Sequence, residues 1–64
     1  MKTKIRKEMK TAAGEEVTIH ERLYESEQSR AVGMFFVAAY MYASNFFRSL
    51  EQAEEFARQK FDIQ

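Results

Sequence analysis

The sequence predicts a small α+β domain in which an antiparallel three-stranded sheet (β-β-β) is followed by one C-terminal helix packed on the sheet. Three observations predict this fold: residues 3–24 alternate between apolar and polar side chains, residues 32–47 form an apolar run, and residues 49–61 carry an apolar stripe at helical spacing. The chain has 64 residues, which is room for one domain, and we assign residues 1–64 to it. The alternative fold is an N-terminal β-hairpin followed by two helices.

The alternating residues 3–24 predict a β-hairpin. Residues 12–16 separate its two strands and contain Gly14, which adopts positive φ without steric cost. One register brings apolar residues opposite each other and opposite charges together. It pairs Thr11 with Val17, Met9 with Ile19, Ile5 with Leu23, Lys7 with Glu21 and Glu8 with His20.

The apolar run at residues 32–47 has three interpretations. A transmembrane helix is disfavoured because a span needs about 20 apolar residues, and this run includes Ser44 and Asn45. A buried helix fits residues that recur at helical spacing: Phe35, Ala39, Tyr42, Phe46 and Leu50. We favour a central strand, because the aromatic and branched residues are strand formers and Gly33 and Ser44 stand where turns would bound it. The polar residues 25–30 before the run predict a loop.

Residues 49–61 predict the C-terminal helix. Ser49 is a natural N-cap, and the acidic residues near the start and basic residues near the end complement the helix dipole. The stripe that we expect to be buried consists of Leu50, Ala53, Ala57 and Phe61.

The composition argues against an enzyme, a metal site or a cofactor. There are no cysteines, and the single histidine, His20, cannot form a usual zinc site alone. His20 with Glu8 or Glu21 could form an acid–base pair, but no nucleophile motif or glycine-rich loop accompanies it. The absence of cysteine fits a reducing compartment, and the basic N-terminus is not followed by a signal-peptide apolar segment, so we expect a cytoplasmic protein.

The aromatic run predicts a protein interface. A strand at residues 32–47 would have two apolar faces, one helix could cover only one of them, and soluble monomers rarely expose such a patch. We therefore expect a homodimer or another protein partner, with no membrane and no small-molecule substrate. The predicted interface residues are Met34, Phe36, Tyr40, Tyr42 and Phe46.

The charge distribution supports an alternative function. Residues 1–10 carry five basic side chains and one acidic, whereas the rest of the chain carries five basic and nine acidic side chains. In a strand Lys2, Lys4, Arg6 and Lys10 would share one face and could lie along a phosphate backbone. A nucleic-acid-binding module is thus the alternative to a protein-binding regulatory module. Length and the lack of cofactor motifs are typical of accessory proteins, bacterial or phage-encoded, that modulate a larger host machine.

Overall fold

The computed structural model describes residues 2–23 and 27–63 and confirms the α+β class. The elements in chain order are β1 Thr3–Lys10, β2 Glu16–Arg22, α1 Glu27–Val32, β3 Phe35–Ala39, β4 Tyr42–Ala43 and α2 Leu50–Lys60. The four strands form one antiparallel sheet in the order β1-β2-β3-β4. The prediction of three strands is therefore one strand short. Strands β2 and β3 occupy the centre of the sheet. Tyr24, the predicted end of the first hairpin, lies outside the described residues.

The fourth strand arises because the chain reverses direction inside the apolar run. Ala39 pairs with Tyr42 across a turn formed by Tyr40 and Met41, and Met41 has a φ of 57°. Ser44 continues the pairing, since its N–H donates to the Val37 carbonyl at 2.8 Å and its Oγ accepts from the Val37 N–H at 2.8 Å. Residues 32–47 thus do not form one continuous strand. They do not form a helix either, so the alternative fold with two helices after the hairpin is wrong. The helix α1 ends at Val32, the first residue of the run, and occupies part of the predicted 25–30 loop.

The first hairpin has a different register from the one predicted. Met9 pairs with Val17, Lys7 with Ile19 and Ile5 with His20, with a β-bulge between Ile5 and Lys7. The pairing is displaced because Thr11 belongs to the loop: its N–H donates to the Glu15 carbonyl at 2.9 Å and its Oγ1 accepts from the Glu15 N–H at 3.0 Å. Gly14 has the expected positive φ, 86°.

This register also changes the ion pairs. Arg6, not Lys7, pairs with Glu21, at 2.5 Å, while Lys7 donates to Glu54 of α2 at 3.0 Å. Glu8 lies opposite Thr18 and not opposite His20. The displacement at the loop end already moves Lys7 and Glu8 away from their predicted partners. The bulge inserts one residue into β1 and breaks the alternation of faces between Lys7 and Ile5.

One face of the sheet packs against α2 and forms the core. The fully or nearly fully buried apolar residues are Met9, Val17, Ile19, Val37, Ala53 and Ala57. Small residues on α2 allow the helix to approach the sheet closely, and larger rings close the periphery of the core. These peripheral residues include Phe35, Phe47, Leu50, Phe56 and Phe61.

The helix α2 begins and ends as its sequence predicts. The Ser49 side chain accepts from the Gln52 N–H at 3.1 Å, and the Phe61 N–H donates to the Ala57 carbonyl at 2.9 Å. Ala53 and Ala57 are buried as expected, whereas Leu50 and Phe61 are only half-buried because they lie at the two ends of the stripe.

The C-terminal residues return to the first hairpin. Thr11 and Ile63 form an isolated antiparallel bridge, and the Ala12 N–H donates to the Asp62 carbonyl at 2.7 Å. Neither helix in the described residues is long and apolar enough to cross a membrane.

Candidate functional site

The face of the sheet opposite α2 carries the most distinctive side chains, and we call it the open face. Side chains alternate along a strand, so the residues next to buried Ile19 and Val37 point away from α2. All of the open-face residues are half-buried or exposed. They include Ile5, Thr18, His20, Arg22, Phe36, Ala38 and Phe46.

A row of rings crosses the open face. The His20 and Phe36 rings stack with 5.0 Å between centroids and 8° between planes. Phe46 meets Phe36 edge to face at 5.6 Å, and the Arg22 guanidinium lies 3.4 Å from the centroid of the Phe46 ring. Ile5, opposite His20 on β1, is 51% exposed at the other end of the row. The row thus combines aromatic surface with a cation, and its residues come from β2, β3 and the segment that follows β4.

Two hydroxyl groups fix the orientation of the His20 ring. Its Nε2 lies 2.9 Å from Thr18 Oγ1, and its Nδ1 lies 3.5 Å from Thr3 Oγ1. An acid–base pair of His20 with Glu8 has no support, because Glu8 lies opposite Thr18 and not opposite His20. Among the described residues, no three histidine, aspartate or glutamate side chains come together as a metal site would require.

The turn at Tyr40 and Met41 separates the five predicted interface residues. Phe36 and Phe46 lie together on the open face, as predicted. Tyr42 lies on the α2 side, with its ring 6.4 Å from that of Phe56 and 5.7 Å from that of Phe61.

The remaining two predicted interface residues lie elsewhere. Tyr40 is 84% exposed at the turn. Met34 is half-buried just before β3, where its carbonyl accepts from the Arg22 N–H at 2.8 Å. The predicted set is therefore divided among the open face, the turn, the core side of the sheet and the segment just before β3.

The basic residues of β1 do not share one face. Lys4 lies opposite Glu21 in the strand register, on the α2 side of the sheet, whereas Lys10 follows buried Met9 and points to the open face. Arg6 is engaged by Glu21. The prediction of a single basic face, built from Lys2, Lys4, Arg6 and Lys10, is wrong because the bulge shifts the alternation.

Sequence reasoning missed the contributions of Arg22, Thr18 and Ile5 to the open face. The alternation of Thr18, His20 and Arg22 along β2 was a usable signal, because these residues must share one face of a regular strand. No local signal placed them beside Phe36 and Phe46, since that contact depends on the β2–β3 register.

A shallow groove of about 600 Å³ lies between α2 and the segment that follows β4. Its apolar part is formed by Val32, Phe46, Phe47 and Phe56, and Arg48 and Gln52 are among its polar residues. Arg48 also donates to the Ala31 carbonyl at 3.0 Å, which ties this segment to the end of α1.

Comparisons with protein-family models, with curated proteins and with solved structures give no match for this chain.

Proposed function

We propose that this chain is a non-enzymatic binding module that acts through protein–protein contact at the open face and also self-associates. The observation that carries the proposal is the row of His20, Phe36 and Phe46, with Arg22 on the last ring, on the face that α2 does not cover. In this role the chain would be an accessory modulator of a larger assembly, of the bacterial or phage type.

The chemistry of the row suits a protein partner. Aromatic residues and arginine are enriched at the centres of protein interfaces and contribute most of the binding energy there. The His20 ring is already stacked and held by two threonines, so binding would cost it little conformational entropy.

The small size of the chain also favours a protein partner. A domain of 64 residues buries a small core, here four apolar residues of the sheet and two of α2 among the residues that the structure describes. Covering the second face of the sheet with a partner would remove further aromatic surface from water.

The nucleic-acid alternative has weaker support. Rings on a sheet can stack on bases, but such surfaces also need a continuous positive groove that follows the phosphates. Arg6 is neutralised by Glu21, and on the open face Lys10 lies opposite the acidic residue Glu16 in the register of β1 and β2.

The proposal is tested by affinity capture from a bacterial lysate, with and without nuclease. The test uses wild type, Phe36→Ala, and Leu23→Ala as a matched control, because Leu23 is an exposed apolar residue just after β2 and outside the row. We expect one protein to be captured in both nuclease arms by wild type and Leu23→Ala, and to be lost with Phe36→Ala. Recovery that disappears with nuclease would support the alternative, and capture unaffected by Phe36→Ala would contradict the open face as the binding surface.

A further inference from the structure

The two edges of the sheet differ in charge. The β1 edge carries five basic side chains in residues 2–10, and such charges discourage pairing with another strand. The opposite edge, which we call the β4 edge, comprises residues 40–47 and contains no charged residue. An uncharged edge without proline lacks the usual protection against edge-to-edge pairing.

The backbone of the β4 edge presents acceptors outward. The Ser44 N–H donates to the Val37 carbonyl at 2.8 Å, and the Phe47 N–H donates to the Phe35 carbonyl at 2.7 Å. In a planar trans peptide the carbonyl points opposite to the N–H. The carbonyls of Ala43 and Phe46 therefore point away from β3, where another strand could donate to them.

One end of the β4 edge is an exposed apolar turn. Tyr40 is 84% exposed and Met41 is 89% exposed. Met41 also has a φ of 57°, a conformation that favours glycine or asparagine and is unfavourable for a bulky side chain. A large apolar side chain in a disfavoured, solvent-exposed conformation indicates a contact outside the monomer.

The other end of the same edge is the groove lined by Val32, Phe46, Phe47 and Phe56. If a two-fold axis relates two copies so that their β4 edges lie antiparallel, the exposed turn of each copy meets the groove of the other. Such an interface is self-complementary, as isologous dimers require, and it brings uncharged edge against uncharged edge.

We propose that two copies of this chain pair through their β4 edges, and that Tyr40 and Met41 of each copy enter the groove of the other. This inference rests on the self-association included in the proposed function and assigns it to the β4 edge, which shares Phe46 with the row on the open face but does not include His20 or Phe36.

The first test uses disulfide crosslinking, which is clean because the chain has no cysteine. Ala43 lies near the middle of the β4 edge, so Ala43→Cys would face itself near the two-fold axis, and a disulfide needs Cα atoms within about 7 Å. Ala13→Cys, exposed in the β1–β2 loop, is the matched control. We expect Ala43→Cys to form a covalent dimer on oxidation and Ala13→Cys to stay largely monomeric. Equal crosslinking of the two variants would overturn the inference.

The second test measures dimer affinity by sedimentation equilibrium. Met41→Gly removes the side chain and relieves the positive φ, so we expect dimerisation to weaken about tenfold or more while the urea midpoint does not fall. Phe36→Ala should retain the dimer and lose the captured partner. A monomeric wild type, or unchanged affinity in Met41→Gly, would overturn the edge-paired dimer. If Phe36→Ala alone abolished the dimer, the open face would be the self-association surface, and the proposed function would stand without this inference.

Discussion

The imidazole of His20 lies flat on the ring of Phe36, with 5.0 Å between centroids and 8° between planes. The two residues are opposite each other on β2 and β3, so the sheet register creates the stack directly. The stack is a property of the folded chain that can be measured without knowing a partner.

We expect a double-mutant cycle to detect this stack. His20→Ala, Phe36→Leu and the double variant should give a favourable coupling free energy of about 1 kcal/mol, because stacked rings interact beyond the area they bury. The measurement is urea unfolding of all four proteins. Leu23→Ala with Phe36→Leu is the control pair, and it should show less coupling because exposed Leu23 lies outside the row. Additive effects in the His20 cycle would contradict the stack.

The two glycines offer a second prediction. Gly33 has a φ of 128°, and a Cβ there would overlap the backbone carbonyl of Phe47. Gly14 has a φ of 86°, but a Cβ there would meet open space. Gly33→Ala should therefore cost about 2 kcal/mol more unfolding free energy than Gly14→Ala, since only the first adds steric overlap to backbone strain. Thermal or urea unfolding compares them, and equal costs would mean that β3 and Phe47 are not packed in this way.

A third prediction concerns the start of α2. Ser49→Ala should reduce the free energy of unfolding by about 1 kcal/mol, because the Gln52 N–H loses its side-chain acceptor. Ser49→Asp keeps an acceptor at the same place and should unfold near the wild-type urea concentration. An equal loss of unfolding free energy in Ser49→Ala and Ser49→Asp would show that the Ser49 hydroxyl has a role other than capping.

The end of α2 gives a fourth prediction. Phe61 is half-buried and meets the Tyr42 ring edge to face at 5.7 Å. Phe61→Ala should destabilise the fold by about 2 kcal/mol, less than the 3–5 kcal/mol typical of a fully buried phenylalanine. Phe61→Leu, which retains most of the apolar contact, should cost less than Phe61→Ala in the same urea series. A negligible effect of Phe61→Ala would show that the C-terminal cap does not pack on β4.

The last prediction concerns nucleic acid. Wild type should bind mixed DNA or RNA no tighter than about 10 μM at near-physiological salt, because the basic residues of β1 are divided between two faces. The comparison variant neutralises all four positions with Lys2→Gln, Lys4→Gln, Arg6→Gln and Lys10→Gln. Fluorescence anisotropy across a salt series is the measurement. A submicromolar, salt-sensitive affinity that the fourfold variant abolishes would replace protein binding with nucleic-acid binding as the function.

The elements that sequence predicts best are those set by local chemistry. The position of α2 follows from the Ser49 cap and the spacing of Ala53 and Ala57, all of which act within one segment. Gly14 likewise marks its loop, because positive φ there favours glycine regardless of the rest of the fold.

The errors arise where distant contacts or unusual turn residues decide the structure. The β3–β4 turn contains Met41 at a position where glycine or asparagine is the usual signal, so the sequence conceals a reversal inside an apolar run. The bulge after Ile5 has no local mark either, and it breaks the alternation along β1 on which the predicted basic face depended. Phe36 and Phe46 were predicted together, but their neighbours His20 and Arg22 follow from strand pairing alone.

The bridge between Thr11 and Ile63 has a consequence for the order in which a newly made chain folds. Synthesis proceeds from the N-terminus, so β1 and β2 leave the ribosome while the residues that bond to Thr11 and Ala12 have not yet been made. The bonds from Thr11 and Ala12 to residues 62 and 63 must therefore form late, and joining segments so far apart in sequence carries a large loop-closure cost. Until Asp62 and Ile63 emerge, the loop of the first hairpin has its internal bonds between Thr11 and Glu15 but lacks its backbone partners from the C-terminal residues.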